Sequence, residues 1–470
     1  MIRKKLLFAI LGTMMLAAPA AADVVQLRTA APVGEKMYLA LNSGVEATLT
    51  WGDGTVEKVK FDGEEKELTV KHAELSLATE QLVTTVYCPD CSLTELDVTD
   101  APRLAVLVCA DNQLKKLDVS KNEQLRDLDC SGNQLSAMTV GKCRKLVSLN
   151  VGNNNLTTLT LGGLADLQTL ICSDNKLKTL YTNSQTDLQA LWCQNNELTK
   201  IVFAGAARPA HLVAFRNQLT QLTPVHLSGV KELWVDSNRL QEIDLSNAAP
   251  EVVSASHNQL TSVLLNKDEK QALKAYYVDD NGLMINSLPT VMDGSFKDTL
   301  VAYNIENQAP YRVVDEPSIA LGDRIQFSDL YRVNAWKQYT RSNMVLKNAA
   351  GSELVKDKDF KLSGSTYAFL LPHKGVYAEI TSPLYPGAVF TTVPFDVIDP
   401  TGVEDVLTAD LQVQVLPGAL QVTVAAATPL KVYNISGVAV IDEVVAKGTH
   451  RWNLPAGVYV VNGQKVALGK

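Results

Sequence analysis

Cysteines are the residues of this 470-residue chain whose spacing most directly suggests chemistry. Cys88-Pro89-Asp90-Cys91 has the Cys-x-x-Cys spacing of a thiol–disulfide centre or of half a zinc site. A zinc site needs two further ligands, but no second Cys-x-x-Cys and no histidine pair follows. Five of the cysteines recur at one position of a repeated pattern. This recurrence favours the interpretation that the cysteines are small buried hydrophobic residues over the redox or zinc alternative. The recurring cysteines are Cys88, Cys109, Cys130, Cys172 and Cys193.

Histidine and serine chemistry has little support in the sequence. The six histidines fall in different segments and in different positions of the repeat; they are His72, His211, His226, His257, His373 and His450. The chain contains no His-Glu-x-x-His zinc motif, no Gly-x-Ser-x-Gly nucleophile motif and no phosphate-binding loop. We therefore expect a protein that is not an enzyme, without a metal site or a cofactor.

The recurring cysteines belong to the pattern Leu-x-x-Leu-x-Cys-x-x-Asn-x-Leu, which extends from Val83 to Asn281. Its asparagines are separated by six successive steps of 21 residues, followed by one of 20 and one of 23. They are Asn112, Asn133, Asn154, Asn175, Asn196, Asn217, Asn238, Asn258 and Asn281. A fixed period in the twenties with this spacing is the leucine-rich-repeat pattern. The sequence thus predicts a mainly β solenoid of about 9–10 turns.

The physical chemistry of a solenoid explains each residue type in the repeat. Each turn supplies a short strand, and the strands stack in parallel about 4.8 Å apart. Leucines and cysteines point inward and share a core with the turns above and below. The asparagine amide pairs with backbone groups where the chain bends out of the strand. A second apolar pair, such as Leu117 and Val119, lines the opposite wall, with loops or 3₁₀ turns on the convex side.

The flanking regions predict further β domains and a secretory signal. Arg3, Lys4 and Lys5 precede an apolar run that ends in small alanines, as in a signal peptide. Alternating apolar and polar residues, separated by Gly and Pro turns, predict short strands on both sides of the repeat. The expected domains are 1–22 signal peptide, 23–80 N-terminal β cap, 81–312 solenoid with a closing segment, 313–400 immunoglobulin-like β-sandwich and 403–470 small β domain.

Charge and hydropathy exclude some classes of partner. The formal net charge is −8 and the sequence has no basic stripe, which argues against a nucleic-acid partner. After the signal peptide no apolar run is long enough for a transmembrane span.

Three segments together resemble the internalin-like leucine-rich-repeat proteins exported by Bacteroidetes. The repeat has cysteine in the core position and Leu-Asp-Val-Ser after the asparagine, as in Leu117–Ser120. The final segment resembles the C-terminal sorting domain of type IX (Por) secretion, in Val432–Gly437 and Leu454–Val461. The resemblance implies export to the outer cell surface or the medium and these sorting-signal residues: Gly457, Tyr459, Lys465 and Lys470.

Residues beside the inward-pointing leucines face outward on the concave face of the predicted sheet. In its second half these positions include aromatic and apolar residues. The ligand-binding candidates are Trp192, His211, Val213, Phe215, Trp234, Asp236 and Tyr277. The alternative is that the aromatic rings stack on one another or pack beneath a terminal domain. Acidic residues on this face, Asp129, Glu232, Asp236 and Asp279, can contact a cation or a basic partner or remain solvated.

The sequence therefore predicts a secreted or cell-surface protein that mediates protein–protein interaction. The expected partner is a protein on a host cell, on a neighbouring bacterium or within a biofilm, so that the function is adhesion. The alternative is a surface glycan-binding protein, because aromatic rings beside Asp and Gln also suit sugars. A third possibility is a purely structural component of the cell envelope.

Overall fold

The chain divides into two units. The computed structural model describes residues 23–182, 185–203, 207–266, 273–288, 300–327, 330, 332–335, 338–398, 411–416, 418–462 and 464–468. The expected signal peptide, 1–22, lies outside the described residues. The first unit contains the repeat up to Tyr311 together with Ile380–Thr391, and the second contains Met344–Glu379 and the chain from Thr392 onward.

A sheet of thirteen strands forms one wall of the first unit. Two of its strands come from the N-terminal cap and the others, all parallel to one another, come from successive turns of the repeat. The repeat strands are Thr85–Tyr87, Val106–Val108, Asp127–Asp129, Ser148–Asn150, Thr169–Ile171, Ala190–Trp192, His211–Val213, Glu232–Trp234, Val252–Ser254, Ala275–Tyr277 and Ala302–Asn304. This arrangement confirms the predicted leucine-rich-repeat solenoid. The side of the sheet that faces away from the core is the concave face.

Equivalent residues of successive turns lie directly beside one another in the sheet. Leu107, Leu128 and Leu149 are register partners, and all three are completely buried. The recurring cysteines form a second inward column, in which Cys109 and Cys130 are also completely buried. Stacking of identical positions therefore builds a continuous core from turns that could not bury their apolar side alone.

The repeat asparagines link each turn to the turn before it. In Asn154, Nδ2 donates to the carbonyl oxygens of Cys130, Val151 and Gly152 at 3.0, 3.2 and 3.2 Å. Its Oδ1 accepts a hydrogen bond from the backbone N–H of Leu135 at 2.9 Å. One buried amide thus satisfies four backbone groups that the bend leaves without strand partners.

The repeat asparagines form a column along the solenoid, the asparagine ladder. This ladder ends on Gln308, a residue that the repeat pattern does not predict. Gln308 donates from Nε2 to the carbonyls of Val278 and Ile305, and it accepts from the N–H of Leu283 at 2.8 Å. These contacts are equivalent to those that each repeat asparagine makes. The extra methylene of glutamine reaches the same backbone groups after the longer final turn.

The residue before each ladder position has a positive φ. Asp111, Asn153 and Asp174 have φ values of 56°, 51° and 56°, and Gly132 has 65°. Asn, Asp and Gly tolerate this left-handed conformation best, which explains why the repeat favours them before the asparagine.

Short strands and helical turns form the second wall of the solenoid. Its parallel strand pairs are Thr179–Thr182 with Lys200–Phe203, and Glu242–Leu245 with Ser262–Leu265. One α-helical turn, Pro224–Leu227, and one 3₁₀ turn, Ile285–Ser287, lie between or after them. The expected 3₁₀ geometry is present, and the strand pairs are an addition to the predicted loops.

A second, less regular ladder runs along this wall. Asn122 donates to the carbonyls of Val98 and Ala101, each at 2.8 Å. Gln185, three turns later in the same role, donates to Leu161 O at 2.8 Å. Polar side chains of different types therefore close the second bend of individual turns.

The N-terminal cap covers the first turn on both walls. Lys36–Leu41 pairs antiparallel with Thr85–Tyr87 and continues the long sheet. Asp23–Thr29 pairs antiparallel with Leu93–Asp100 in a separate five-stranded sheet. The cap strands are Asp23–Thr29, Lys36–Leu41, Glu46–Trp51, Val56–Lys60, Lys66–Thr69 and Glu74–Thr79.

Aromatic side chains cover the last turns of the solenoid. The segment Ile380–Thr391 brings Tyr385 to Leu288, whose carbonyl oxygen accepts the Tyr385 hydroxyl at 2.8 Å. Tyr311 and Phe390 stack with ring centroids 6.1 Å apart. This segment of the expected 313–400 region therefore packs with the solenoid.

The remaining described strands form smaller sheets. Between residues 312 and 398 they are Ser318–Ala320, Arg324–Gln326, Arg332–Ala335, Gln338–Arg341, Asn343–Lys347, Phe360–Ser363, Thr366–Phe369, His373–Thr381, Phe390–Thr391 and Phe395–Ile398. The last strands are Leu411–Leu416, Ala419–Val424, Thr428–Asn434, Ala439–Val445, Gly448–Asn453, Gly457–Val461 and Gln464–Leu468. These last seven form a three-stranded and a four-stranded antiparallel sheet with a shared apolar core that includes Leu420, Val432 and Val461.

The ladder generates a prediction about stability. Replacement of Asn154 by alanine removes four hydrogen bonds from a buried position and should lower the free energy of unfolding by about 2 kcal/mol or more. The adjacent Asn155 is exposed, so Asn155→Ala is the matched control. Urea denaturation of the two full-length variants checks this. Equal midpoints would contradict a stabilising role for the ladder.

Candidate functional site

The outward positions of the long sheet form three parallel columns on the concave face. The first column, before the second leucine of each repeat, is Thr85, Val106, Asp127, Ser148, Thr169, Ala190, His211, Glu232, Val252, Ala275 and Ala302. The second, before the core residue, is Tyr87, Val108, Asp129, Asn150, Ile171, Trp192, Val213, Trp234, Ser254, Tyr277 and Asn304. The third, after the core residue, is Pro89, Ala110, Ser131, Gly152, Ser173, Gln194, Phe215, Asp236, Ser256, Asp279 and Glu306. These three columns contain neither lysine nor arginine.

An aromatic strip, Ile171, Trp192, Val213 and Trp234, runs across four adjacent strands of the second column. Its members are direct register partners from each strand to the next, and all four are half-buried. The sequence prediction that these side chains share the concave face is therefore met in the geometry. Tyr277 lies two strands beyond Trp234, with Ser254 between them.

The aromatic side chains of this face do not stack on one another. Among the described residues, no ring contact involves Trp192, Phe215, Trp234 or Tyr277. Each ring is therefore partly exposed without an aromatic neighbour at stacking distance, and its outward side remains available to a ligand.

Beside the strip, charged side chains lie in the first and third columns. His211 Nδ1 is 3.6 Å from Glu232 Oε2, and each of these side chains is 43% exposed. Asp236 Oδ1 accepts hydrogen bonds from Ser254 Oγ at 2.7 Å and from the Ser256 N–H at 3.0 Å. The binding candidates His211 and Asp236 thus flank Trp234 on opposite sides.

The turns between Asp127 and Gly152 make the concave face polar and internally hydrogen-bonded there. Asp129 Oδ1 accepts from Ser131 Oγ at 2.6 Å, and Asn150 Nδ2 donates to the same hydroxyl at 3.2 Å. Burial raises the pKa of Asp127, a hydrogen bond from Ser148 opposes this, and the nearby Asp129 carboxylate raises it further. Between Asp127 and Gly152 the face therefore offers few apolar contacts, whereas Tyr87, Val106 and Val108 precede this polar stretch.

Sequence reasoning missed a cluster at the edge of the second half. His257 Nδ1 lies 2.9 Å from Asp280 Oδ2, and donor atoms of His257, Asp279 and Asp280 lie within 4.8 Å of one another. His257 and Asp280 each precede a ladder asparagine, so they occupy one position on adjacent turns. Their equivalence follows from the alignment on Asn258 and Asn281, but a histidine and an aspartate meet in this position only here among the described turns, so no periodic signal marks the pair.

The expected sorting-signal residues lie at the C-terminal end of the chain, in the second unit. Gly457 begins the strand Gly457–Val461, and Tyr459 is buried with its hydroxyl donating to Pro455 O at 2.9 Å. Lys465 lies in the last strand, and its backbone pairs with Val460. The Lys465 side chain and Lys470 are outside the described residues.

All seven cysteines are buried and free. Burial raises the pKa of Cys172 to about 12 and that of Cys91 to about 11. Cys88 shares this environment, and burial holds its pKa well above the ordinary value. A nucleophilic or metal-binding thiolate is disfavoured in such surroundings, so the Cys-x-x-Cys pair has the chemistry of core residues.

Comparison with solved structures finds leucine-rich-repeat proteins. The functional domain of InlJ from Listeria monocytogenes, which includes a cysteine ladder, is 18% identical over 70% of this chain and 94% of that chain, with a TM-score of 0.34. YopM from Yersinia enterocolitica WA-314 is 27% identical over 39% of each chain, with a TM-score of 0.33. The internalin InlF from Listeria monocytogenes is 17% identical over 43% of this chain and 74% of that chain, with a TM-score of 0.28. No protein-family model and no curated protein matches the chain.

The raised thiol pKa values predict slow chemical modification of the folded protein. At pH 8 the thiolate fraction of Cys91 should be on the order of 10⁻³, and it should rise tenfold per pH unit up to about pH 11. We expect negligible reaction of native protein with a thiol-specific disulfide reagent, and reaction of all seven cysteines after unfolding without reductant. Two rapidly reacting native thiols, or two missing after unfolding, would instead support a redox function for the Cys-x-x-Cys pair.

Proposed function

We propose that this protein is a surface-displayed binding protein that recognises a protein partner through the concave face of its solenoid. The observation that carries the proposal is the aromatic strip, Ile171 to Trp234, half-buried and in register on four adjacent strands. Partly exposed Trp side chains that cluster on one face are typical of the residues that dominate binding energy at protein interfaces.

Rigidity of the scaffold supports this role. Each strand of the strip is followed by a ladder asparagine whose amide is bonded to the preceding turn; in the turn of Trp192 this residue is Asn196. Side chains held by a hydrogen-bonded sheet lose little further conformational freedom when a partner binds. A preorganised apolar strip of this kind can therefore give affinity without a deep pocket.

We place this activity outside the cell. The expected signal peptide at 1–22 and the likeness of the last segment to a type IX sorting domain of Bacteroidetes support export and display. Among the described residues, no helix is long and apolar enough to cross a membrane. The proposed biological role is adhesion to a host cell or another bacterium, including within a biofilm.

A glycan ligand is the second candidate. Gln194 lies two residues after Trp192, and the Oε1 atom of Gln194 is buried without a hydrogen-bond partner among the described residues. The Gln194 side chain as a whole is partly exposed, and an indole ring beside an amide is a combination that can contact a sugar ring and one of its hydroxyl groups. This observation concerns one turn, whereas the apolar strip spans four strands and favours a protein surface.

The proposal predicts that loss of two indole rings abolishes binding without unfolding the chain. In the variant Trp192→Ala/Trp234→Ala, adhesion by cells that display the full-length protein should fall by about tenfold or more. The far-UV circular-dichroism spectrum and surface display, checked by external proteolysis, should be unchanged.

The matched control for this experiment is Tyr181→Ala. Tyr181 is an aromatic residue on the second wall whose side chain is exposed (54%), and its loss should not affect adhesion. Unchanged adhesion in the double variant would exclude the aromatic strip as the site. Saturable binding to a glycan array that the double variant loses would replace the protein partner with a sugar.

A further inference from the structure

A notch one strand wide interrupts the concave face beyond the aromatic strip. Its floor is the strand Val252–Ser254 with the following Ser256, and both Ser254 and Ser256 are buried. The preceding strand supplies Trp234 to one wall and the following strand supplies Tyr277 to the other.

Each wall of the notch also contains a carboxylate. Asp236 follows Trp234 by two residues and Asp279 follows Tyr277 by two, so each wall has one aromatic ring and one carboxylate in the same order. The two walls are two strand steps apart, which is about 9–10 Å between backbones. This separation leaves room for one unbranched side chain between the walls, above the small serines.

The serine floor fixes the carboxylates but uses only one oxygen of each. Ser254 Oγ and the Ser256 N–H both donate to Asp236 Oδ1, and Ser256 Oγ donates to Asp279 Oδ1. Among the described residues, no hydrogen bond reaches Oδ2 of Asp236 or of Asp279. Each wall therefore presents a held carboxylate with one acceptor oxygen available.

The surroundings of the notch are negatively charged. Glu232 lies in the first column beside Trp234, and Asp280 follows Asp279. The three columns contain no lysine or arginine, and among the described residues the ion pairs of these acids are Glu232 with His211 and Asp280 with His257. Lys274, which precedes the strand of Tyr277, is paired with Glu251 at 2.6 Å, the residue that precedes the floor strand.

We propose that the notch binds an arginine or lysine side chain presented by a polypeptide partner. The aromatic walls provide π faces and apolar contact for the aliphatic stem, and the paired carboxylates accept hydrogen bonds from the cationic head. A planar guanidinium, with donors on several edges, can reach carboxylates on both walls at once. This inference rests on the proposed function and specifies the chemistry of the partner at one end of the aromatic strip.

Other occupants match the notch less well. An apolar side chain would remove water from two carboxylates without replacing the lost hydrogen bonds, which is unfavourable. An acidic side chain would be repelled by Asp236, Asp279 and the neighbouring acids. A neutral sugar could use the aromatic walls but would gain little from the negative charge, so charge dependence separates it from a cationic side chain.

The test uses the full-length chain labelled with 5-fluorotryptophan and followed by ¹⁹F NMR, with Trp234→Phe to assign the Trp234 signal. The probe is acetyl-Gly-Gly-Arg-Gly-Gly-amide, and its comparison is the same peptide with citrulline, which has nearly the shape of arginine but no charge. The arginine peptide should shift the Trp234 signal saturably. The citrulline peptide should bind at least about tenfold more weakly, because hydrogen bonds to charged groups are the stronger ones.

Variants of the chain separate charge from shape. Asp236→Asn/Asp279→Asn keeps the shape of the notch and should weaken the arginine peptide by at least about tenfold. The matched control is Asp118→Asn/Asp244→Asn, which removes the same charge from the second wall, where each carboxylate accepts a turn N–H. Ser254→Trp should fill the notch and block binding; the position tolerates an indole ring, because Trp192 and Trp234 occupy it in other turns.

Four results would overturn the proposal that the notch binds a cationic side chain. Equal binding of the arginine and citrulline peptides, or no shift of the Trp234 signal by the arginine peptide, would exclude a cation-binding site. Saturable binding of a neutral oligosaccharide that survives Asp236→Asn/Asp279→Asn but is lost in Ser254→Trp would assign the notch to sugars. Loss of adhesion in Trp192→Ala together with full adhesion in Ser254→Trp would reject the notch while leaving the proposed function intact.

Discussion

The structure of the solenoid depends on the hydrogen bonds between asparagine side chains and the backbone of the preceding turn. A parallel strand of three residues satisfies few of its own backbone groups, and the bend that follows it leaves carbonyl oxygens and N–H groups buried without partners. The asparagine amide is short and carries both donors and an acceptor, so one side chain can satisfy these groups on two turns. It also fixes the distance from strand to bend, which keeps successive turns in one register. Where the last turn is longer, Gln308 takes over the same contacts.

Register has a direct consequence for the surface. Because equivalent positions lie side by side, the neighbours of a concave-face residue are the same positions of the adjacent turns, 20 to 27 residues away in the chain. A row of large apolar residues therefore becomes a strip, and one small residue within the row becomes a notch. Ser254 between Trp234 and Tyr277 is such a case. The chemistry of the face is thus determined by the sequence of each column rather than by the sequence along the chain.

This property explains how much the sequence could reveal. The repeat period predicts the strands, the core columns, the asparagine ladder and the outward position of Trp192 and Trp234, since all of these recur at fixed spacing. Contacts that occur once carry no period. The hydrogen bond from Tyr385 to Leu288 joins residues 97 positions apart, and no local pattern indicates that Ile380–Thr391 returns to cover the solenoid. The pairing of His257 with Asp280 has no periodic signal for a related reason, because it occurs once among the described turns.

The coverage of its two ends limits where a partner can bind to the solenoid. An uncovered end would expose core leucines and could stack on another copy, but aromatic residues of the returning segment cover the last turns. At the other end the long sheet finishes with Lys66–Thr69, whose charged side chains form ion pairs: Lys66 with Asp62, and Glu67 with Lys36. Charged residues on an edge strand oppose the addition of a further strand. With the ends covered in these ways, the concave face remains a sheet surface whose apolar side chains are only partly buried, as those of Trp192 and Trp234 are.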